Sequence, residues 1–146
     1  MKIDKIDEEI LKNLSKDARL SARQIAIRLE MSTVTILTRI KKLEKEKIIK
    51  GYTTLIDHEK IGYDLTAIIE IIAKKDILAI EEKLAKTDNV CGVYDITGNT
   101  DTVIVAKFRG RNELSHFVKT ISSMENVENT ITHIVLNTVK EDFRLR

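Results

Sequence analysis

SARQIAIRLEMSTVTILTRIKKLEKEKIIK, from Ser21 to Lys50, holds two segments of helical period joined by a tight turn. Ser21 followed by Gln24 forms a capping box, in which a hydroxyl and an amide each satisfy an orphan backbone group at a helix start. Ile25, Ala26 and Leu29 then share one face. Glu30 and Met31 make the turn, and Ser32 is a good N-cap for the second helix. In that helix Ile36, Ile40 and Leu43 recur at i, i+4 and i+7 as a core stripe, with Leu37 at its edge. The opposite side carries Val34, Thr35, Thr38 and Lys42, beside Thr33, Arg39 and Lys41. This is the layout of a helix-turn-helix, whose second helix enters the major groove of DNA. Ser32, Thr33, Val34, Thr35, Thr38, Arg39, Lys41 and Lys42 are the candidate DNA contacts. Threonine and valine methyls suit thymine methyls, hydroxyls suit base edges, and Arg or Lys reaches guanine or phosphate. If Arg39 holds a phosphate, its removal should weaken all duplex binding and lower the salt dependence.

The charge supports this reading. From Arg19 to Lys50 nine cations face three acids, a net charge of +6, whereas the whole chain carries only +2. A local basic stripe on a groove-sized helix is the electrostatic footprint of duplex binding. A Lys/Glu-rich helix can also be just a solvated face; the capped helix upstream and the short turn weigh against that here.

Elsewhere composition excludes more than it assigns. A hydrophobic content of 42% with 33% charged residues describes a globular chain with a heavily charged surface. No apolar run would span a bilayer. The opening MKIDKIDEEILKNL is acidic and amphipathic, unlike a signal peptide, so a cytoplasmic protein with no membrane partner is expected. A single cysteine rules out an internal disulfide, and Cys91, within Val90-Cys91-Gly92-Val93, reads as a small buried hydrophobe. His58, His116 and His133 show no metal-site spacing. No metal and no cofactor are expected.

The fold class expected is α+β. Asp4 caps a first helix with Asp7 and Glu8 in its opening turn and Ile6, Ile10, Leu11 and Leu14 as its buried stripe. That completes a three-helix helix-turn-helix domain over residues 1–50, whose thin core calls for support. Residues 51–62 read as a connecting strand and hinge, with β-forming Tyr52 to Ile56. Residues 63–146 change rhythm: a strand Leu65–Ala73, a helix Ile77–Ala85 capped by Asp76, strands Val90–Thr97 and Thr102–Arg109 around a Gly98–Asp101 turn, a helix Asn112–Ser122, and a long strand Val127–Val139. The order βαββαβ is the ferredoxin-like arrangement, with both helices on one face of an antiparallel sheet.

The strands are too apolar for a sheet covered on one side only. Ile68, Ile69, Ile71 and Ile72 place apolar groups on both faces, as do Val103 to Ala106. A second copy packed sheet to sheet would cover the open face, giving a two-fold homodimer whose paired helices read two half-sites.

These residues together resemble the Lrp/AsnC, or leucine-responsive and feast/famine, family of regulators. The resemblance rests on IDEEILKNLSKDARLSARQIAIRLEMS, on TRIKKLEKEKIIKGYT and on YDITGNTDTVIVAKF. It implies operator binding by the N-terminal domain and a C-terminal domain for effector binding and oligomerisation, with dimers associating into octamers. It also implies an amino-acid effector bound near Gly98–Asp101. The family commonly has Gly where this chain has Lys47, a departure that bears on the end of the recognition helix.

For the effector, Gly98, Asn99 and Thr100 offer backbone N–H groups for a carboxylate, Asp101 offers an acceptor for an ammonium, and Thr130 and Thr132 would line the pocket. The same residues make an ordinary hairpin turn, which is their reading without the resemblance. Two other functions compete with this reading. An architectural protein that wraps DNA with little sequence preference differs from a specific regulator only in its specificity ratio. An enzyme is not expected, because no nucleophile–base pair, phosphate loop or metal cluster is legible, and Asp95 and Asp101 serve a turn.

Overall fold

The computed structural model describes residues 2–144. They fall into two compact units, residues 2–55 with 142–144, and residues 56–141.

The first unit is helical. α1 (Lys5–Lys16) begins at Asp4, whose side chain accepts the N–H groups of Ile6 and Asp7 while Asp7 answers to the Asp4 N–H, a complete capping box. α2 (Ala22–Arg28) begins with the expected Ser21–Gln24 box. α3 (Thr33–Lys45) begins at Ser32, whose hydroxyl accepts the Thr35 N–H. Ile10, Leu14, Ile25, Ala26, Ile36, Ile40 and Leu43 form one core, the stripe expected of each helix. Asp7 is buried with them, a charge that periodicity did not reveal.

Both helices around the turn end in the same way. The Met31 N–H reaches the Ala26 carbonyl, and the Ile48 N–H reaches the Leu43 carbonyl. Between each pair stands a left-handed residue, Glu30 at φ 53° and Lys47 at φ 58°. This is the Schellman motif, which favours glycine because a side chain resists that backbone. Lys47 therefore fills a glycine position under strain. Lys47→Gly is expected to stabilise the fold by about 0.5–1 kcal/mol, strain relief exceeding the extra chain entropy. Comparing denaturant midpoints of the two proteins checks it; an unchanged or lower midpoint contradicts it.

The second unit is an antiparallel sheet in the order β2-β3-β1-β4. Its strands are β1 (Leu65–Ala73), β2 (Val90–Asp95), β3 (Thr102–Phe108) and β4 (Val127–Ile134). The helices are α4 (Ile77–Leu84) and α5 (Arg111–Ser122). Ala67, Ile69 and Ile71 of β1 and Ile104, Ala106 and Phe108 of β3 meet Ile80 and Leu84 of α4 and Leu114 and Ile121 of α5 in the second core. The ferredoxin-like order is thus present. The register places the other residues on the open face, where Ile68 lies between Val105 and His133, and Glu70 between Val103 and Ile131. Ile68, Tyr94 and Ile131 are exposed there, and Val103 and Val105 are half-buried.

Several local expectations are corrected. Residues 52–56 form no strand; a 3₁₀ turn, Glu59–Ile61, follows them. The last strand stops at Ile134 rather than Val139, because β1 begins at Leu65 and offers only the Thr66 carbonyl to the Val135 N–H beyond that point. β2 ends at Asp95 opposite the first residue of β3. Asp76 precedes α4 but makes no side-chain cap bond; its left-handed backbone lacks the extended geometry that aims a capping group at the helix N–H groups. Cys91 is exposed, not buried, since a bulge between Val90 and Gly92 breaks the strand's alternation there.

Candidate nucleic-acid interface and effector turn

The α3 stripe of Ile36, Ile40 and Leu43 is buried, which fixes the rotation of the helix and turns its other side outward. Thr33, Val34, Thr38, Lys41 and Lys42 are exposed there, Val34 by 74% of its surface. An isolated valine so exposed contributes nothing to the core, and its methyls are free for a partner. Two hydroxyls are engaged locally. Ser32 Oγ and Thr35 Oγ1 lie 2.7 Å apart, and Thr38 Oγ1 donates to the Val34 carbonyl at 2.9 Å. Ser32 is thus first a helix cap, while the Thr38 hydroxyl keeps its acceptor lone pairs.

Arg39 is placed differently from its neighbours. Its Nη1 donates to both Asp4 carboxylate oxygens and to Asp7 Oδ1. These bonds raise its pKa above the ordinary guanidinium value, and the Asp7 N–H and Arg39 hold Asp4 below the usual carboxylate range. A hollow of about 480 Å³ lies beside this cluster, with Val34, Thr35, Thr38 and Lys42 on its α3 side and Lys2, Asp4 and Asp7 on its α1 side. At the far end of α3, the Tyr52 hydroxyl donates to Glu44 Oε1 at 2.8 Å, and desolvation together with that carboxylate pushes the phenol up to about 12. Tyr52 thus anchors the chain leaving the helix, a role its β-forming character did not show.

In the second unit the Gly98–Asp101 segment closes the β2–β3 hairpin. Gly98 has φ 131°, with open space around it, so the turn uses the freedom only glycine has there. Asp101 Oδ2 accepts the Ala73 N–H at 2.8 Å, and the Asp101 N–H donates to the Ile71 carbonyl, so Asp101 extends the ladder to β1. One carboxylate oxygen carries that bond; the other is available to a cation. Thr100 is buried and donates to Glu70 Oε2 at 3.0 Å. The other oxygen of Glu70 meets His133 Nε2 at 3.0 Å. Thr130 and Thr132 pair with Ile71 and Ile69, residues of the helix-covered face, whereas Glu70 and His133 lie on the open one. Within one chain the structure therefore brings Gly98 to Asp101 together and leaves Thr130 and Thr132 on the opposite face of the sheet. Glu70 and His133 join the turn in their place, and only strand register could have revealed them.

Comparison with known proteins agrees with both units. A family profile described as the Lrp/AsnC ligand binding domain matches residues 66–145, and one described as winged helix-turn-helix DNA-binding matches residues 3–50. The chain is 49% identical over 146 residues to an uncharacterised HTH-type transcriptional regulator of Pyrococcus furiosus, covering 99% of each. It is 35% identical over 144 residues to the HTH-type transcriptional regulator FL11 of Pyrococcus horikoshii, covering 98% of this chain and 95% of that one. Among solved structures, a Neisseria meningitidis transcriptional regulator in complex with L-Met superposes with a TM-score of 0.89 at 29% identity, covering 99% of this chain and 97% of that one. E. coli AsnC gives 0.87 at 29% identity, covering 97% of both. With a helix-turn-helix unit, a ligand-binding unit of the matching fold and relatives that are regulators rather than enzymes, the chain belongs to the Lrp/AsnC family of transcriptional regulators.

Proposed function

We propose that the chain binds duplex DNA sequence-specifically through α3, pairs with a second copy through the open face of its sheet, and is modulated by an amino acid at the Gly98–Asp101 turn. The observation that carries the DNA reading is the outward face of α3. Thr33, Val34, Thr38, Lys41 and Lys42 stand exposed on a helix whose other side is locked in the core. Pairing is supported by the apolar open face, and the resemblance extends it to octamers. The effector is supported by the backbone N–H groups of the Gly98–Asp101 turn and the Asp101 carboxylate; the Neisseria relative was crystallised with L-Met. A protein acting on DNA in this way would work in the cytoplasm.

Gel-shift titration against salt tests the DNA reading. Lys42→Ala should weaken binding to every duplex alike and reduce the salt slope by about one unit, whereas Thr38→Ala should change sequence preference more than affinity. Equal affinity for a selected duplex and for bulk DNA would favour an architectural, wrapping protein instead. For the effector, a ligand that binds the folded state raises the melting temperature by mass action. A thermal-shift screen of the protein amino acids should yield a hit that Asp101→Asn abolishes. Asparagine keeps an oxygen for the Ala73 N–H but loses the charge an ammonium needs.

A further inference from the structure

Arg39 stands on the recognition helix between Thr38 and two lysines, yet its guanidinium turns back to α1. A single nitrogen, Nη1, takes Asp4 Oδ1 at 2.9 Å, Asp4 Oδ2 at 2.8 Å and Asp7 Oδ1 at 2.8 Å. The Arg39 side chain is 27% exposed and that of Asp7 only 3%. Its partners are themselves pinned. Asp4 also accepts the N–H groups of Ile6 and Asp7, and Asp7 Oδ2 answers the Asp4 N–H at 3.3 Å. The arginine is therefore docked on the capping box of α1, with its first partner 35 positions away in the chain.

The charge count decides what such an arginine can do. One guanidinium faces two carboxylates, so the charge of Arg39 is already matched within the cluster, and Lys2 and Lys42 on the lining of the hollow are the cations a phosphate would meet there. Swinging the guanidinium away from α1 to reach DNA would strand the buried Asp7 carboxylate without its cation, the costly way to break such a pair. We infer that Arg39 is a positioning residue: it keys the recognition helix to the first turn of α1 and contacts neither phosphate nor base. It acts through Thr38 and Lys42, its neighbours on α3, which with Asp4 and Asp7 line the same hollow. The inference rests on the reading that α3 meets DNA, and replaces the phosphate contact expected of Arg39 by its position alone.

The decisive variants are the acids. Asp4→Asn and Asp7→Asn each remove a negative charge beside the interface. If charge alone governed, both would tighten binding to any duplex. Positioning predicts the reverse: affinity for a duplex selected from a random pool by the unaltered protein falls about tenfold, while the salt slope stays the same. Asparagine is itself a good N-cap, so Asp4→Asn preserves α1 and carries the test if Asp7→Asn unfolds. Arg39→Lys, whose one ammonium has three donors, should recover most of the affinity lost in Arg39→Ala, and neither should change the salt slope. Tighter binding by the two asparagine variants, or a slope reduced by about 0.9 in Arg39→Ala, overturns the inference. A separate readout needs no DNA. Arg39→Ala should lower the melting temperature of the helical unit by roughly 10 °C, and no change would overturn the keying role even if the unaltered chain bound no duplex.

Discussion

Val105→Asp is expected to leave the chain folded but single, and to lower its affinity for a two-half-site duplex by about 100-fold or more. Val105 lies on the open face of the sheet, registered between Ile68 and Gly92, and is half-buried in the lone chain. A carboxylate there stays hydrated as long as no second sheet approaches. Once a copy packs against it, the carboxylate of each chain is desolvated in the interface, and each unpaired charge costs several kcal/mol. The loss in DNA binding follows from geometry: without pairing, the second recognition helix no longer benefits from the first being bound. Sedimentation and circular dichroism measure the two halves of the expectation. A variant that still pairs, or a folded monomer that binds as tightly as the unaltered protein, would show that the open face is not where copies meet.

Phe108→Ala is expected to destabilise the sheet unit by about 3–5 kcal/mol, a large share of a typical domain's total. Phe108 is fully buried, and its ring lies 5.2 Å from that of Phe117 on α5 at an interplanar angle of 56°. Truncation removes both the buried area and a tilted aromatic contact, and leaves a cavity that a strand held in register on both sides cannot collapse. Calorimetry of the full chain measures the loss. The helical unit has its own core, built on Ile10, Ile25, Ile36 and Leu43, so its amide protection should persist where that of β1 and β3 fails. A change under about 1 kcal/mol would mean that the cavity is refilled by its neighbours.

Much of this architecture was legible in the sequence for a simple reason. Helix caps, turn residues and apolar period are local, and Asp4, Ser21 and Ser32 mark all three helix starts of the first unit. β1 keeps its expected bounds, Leu65–Ala73, because an apolar run bounded by polar residues has few alternatives. What the sequence concealed is long-range. The carboxylates that Arg39 holds lie 35 and 32 residues upstream, beyond the reach of any local pattern. Thr130 and Thr132 fall on the helix-covered face within one chain because faces alternate with register, and one residue decides the side. Cys91 was hidden by a bulge, and the end of β4 by where its neighbour happens to begin. The strand expected at Tyr52 to Ile56 found no ladder, for β propensity records fit to a pleated surface rather than the presence of one.

If copies pair through the open face as proposed, Glu70 bears on which surfaces it accepts. An unbroken greasy surface would adhere to any similar surface. A carboxylate between Val103 and Ile131, already holding Thr100 and His133, penalises every visitor that leaves it dehydrated without donors in reach. On the proposed pairing through this face, selectivity among similar surfaces would reside in a small hydrophilic island, not in the oil around it.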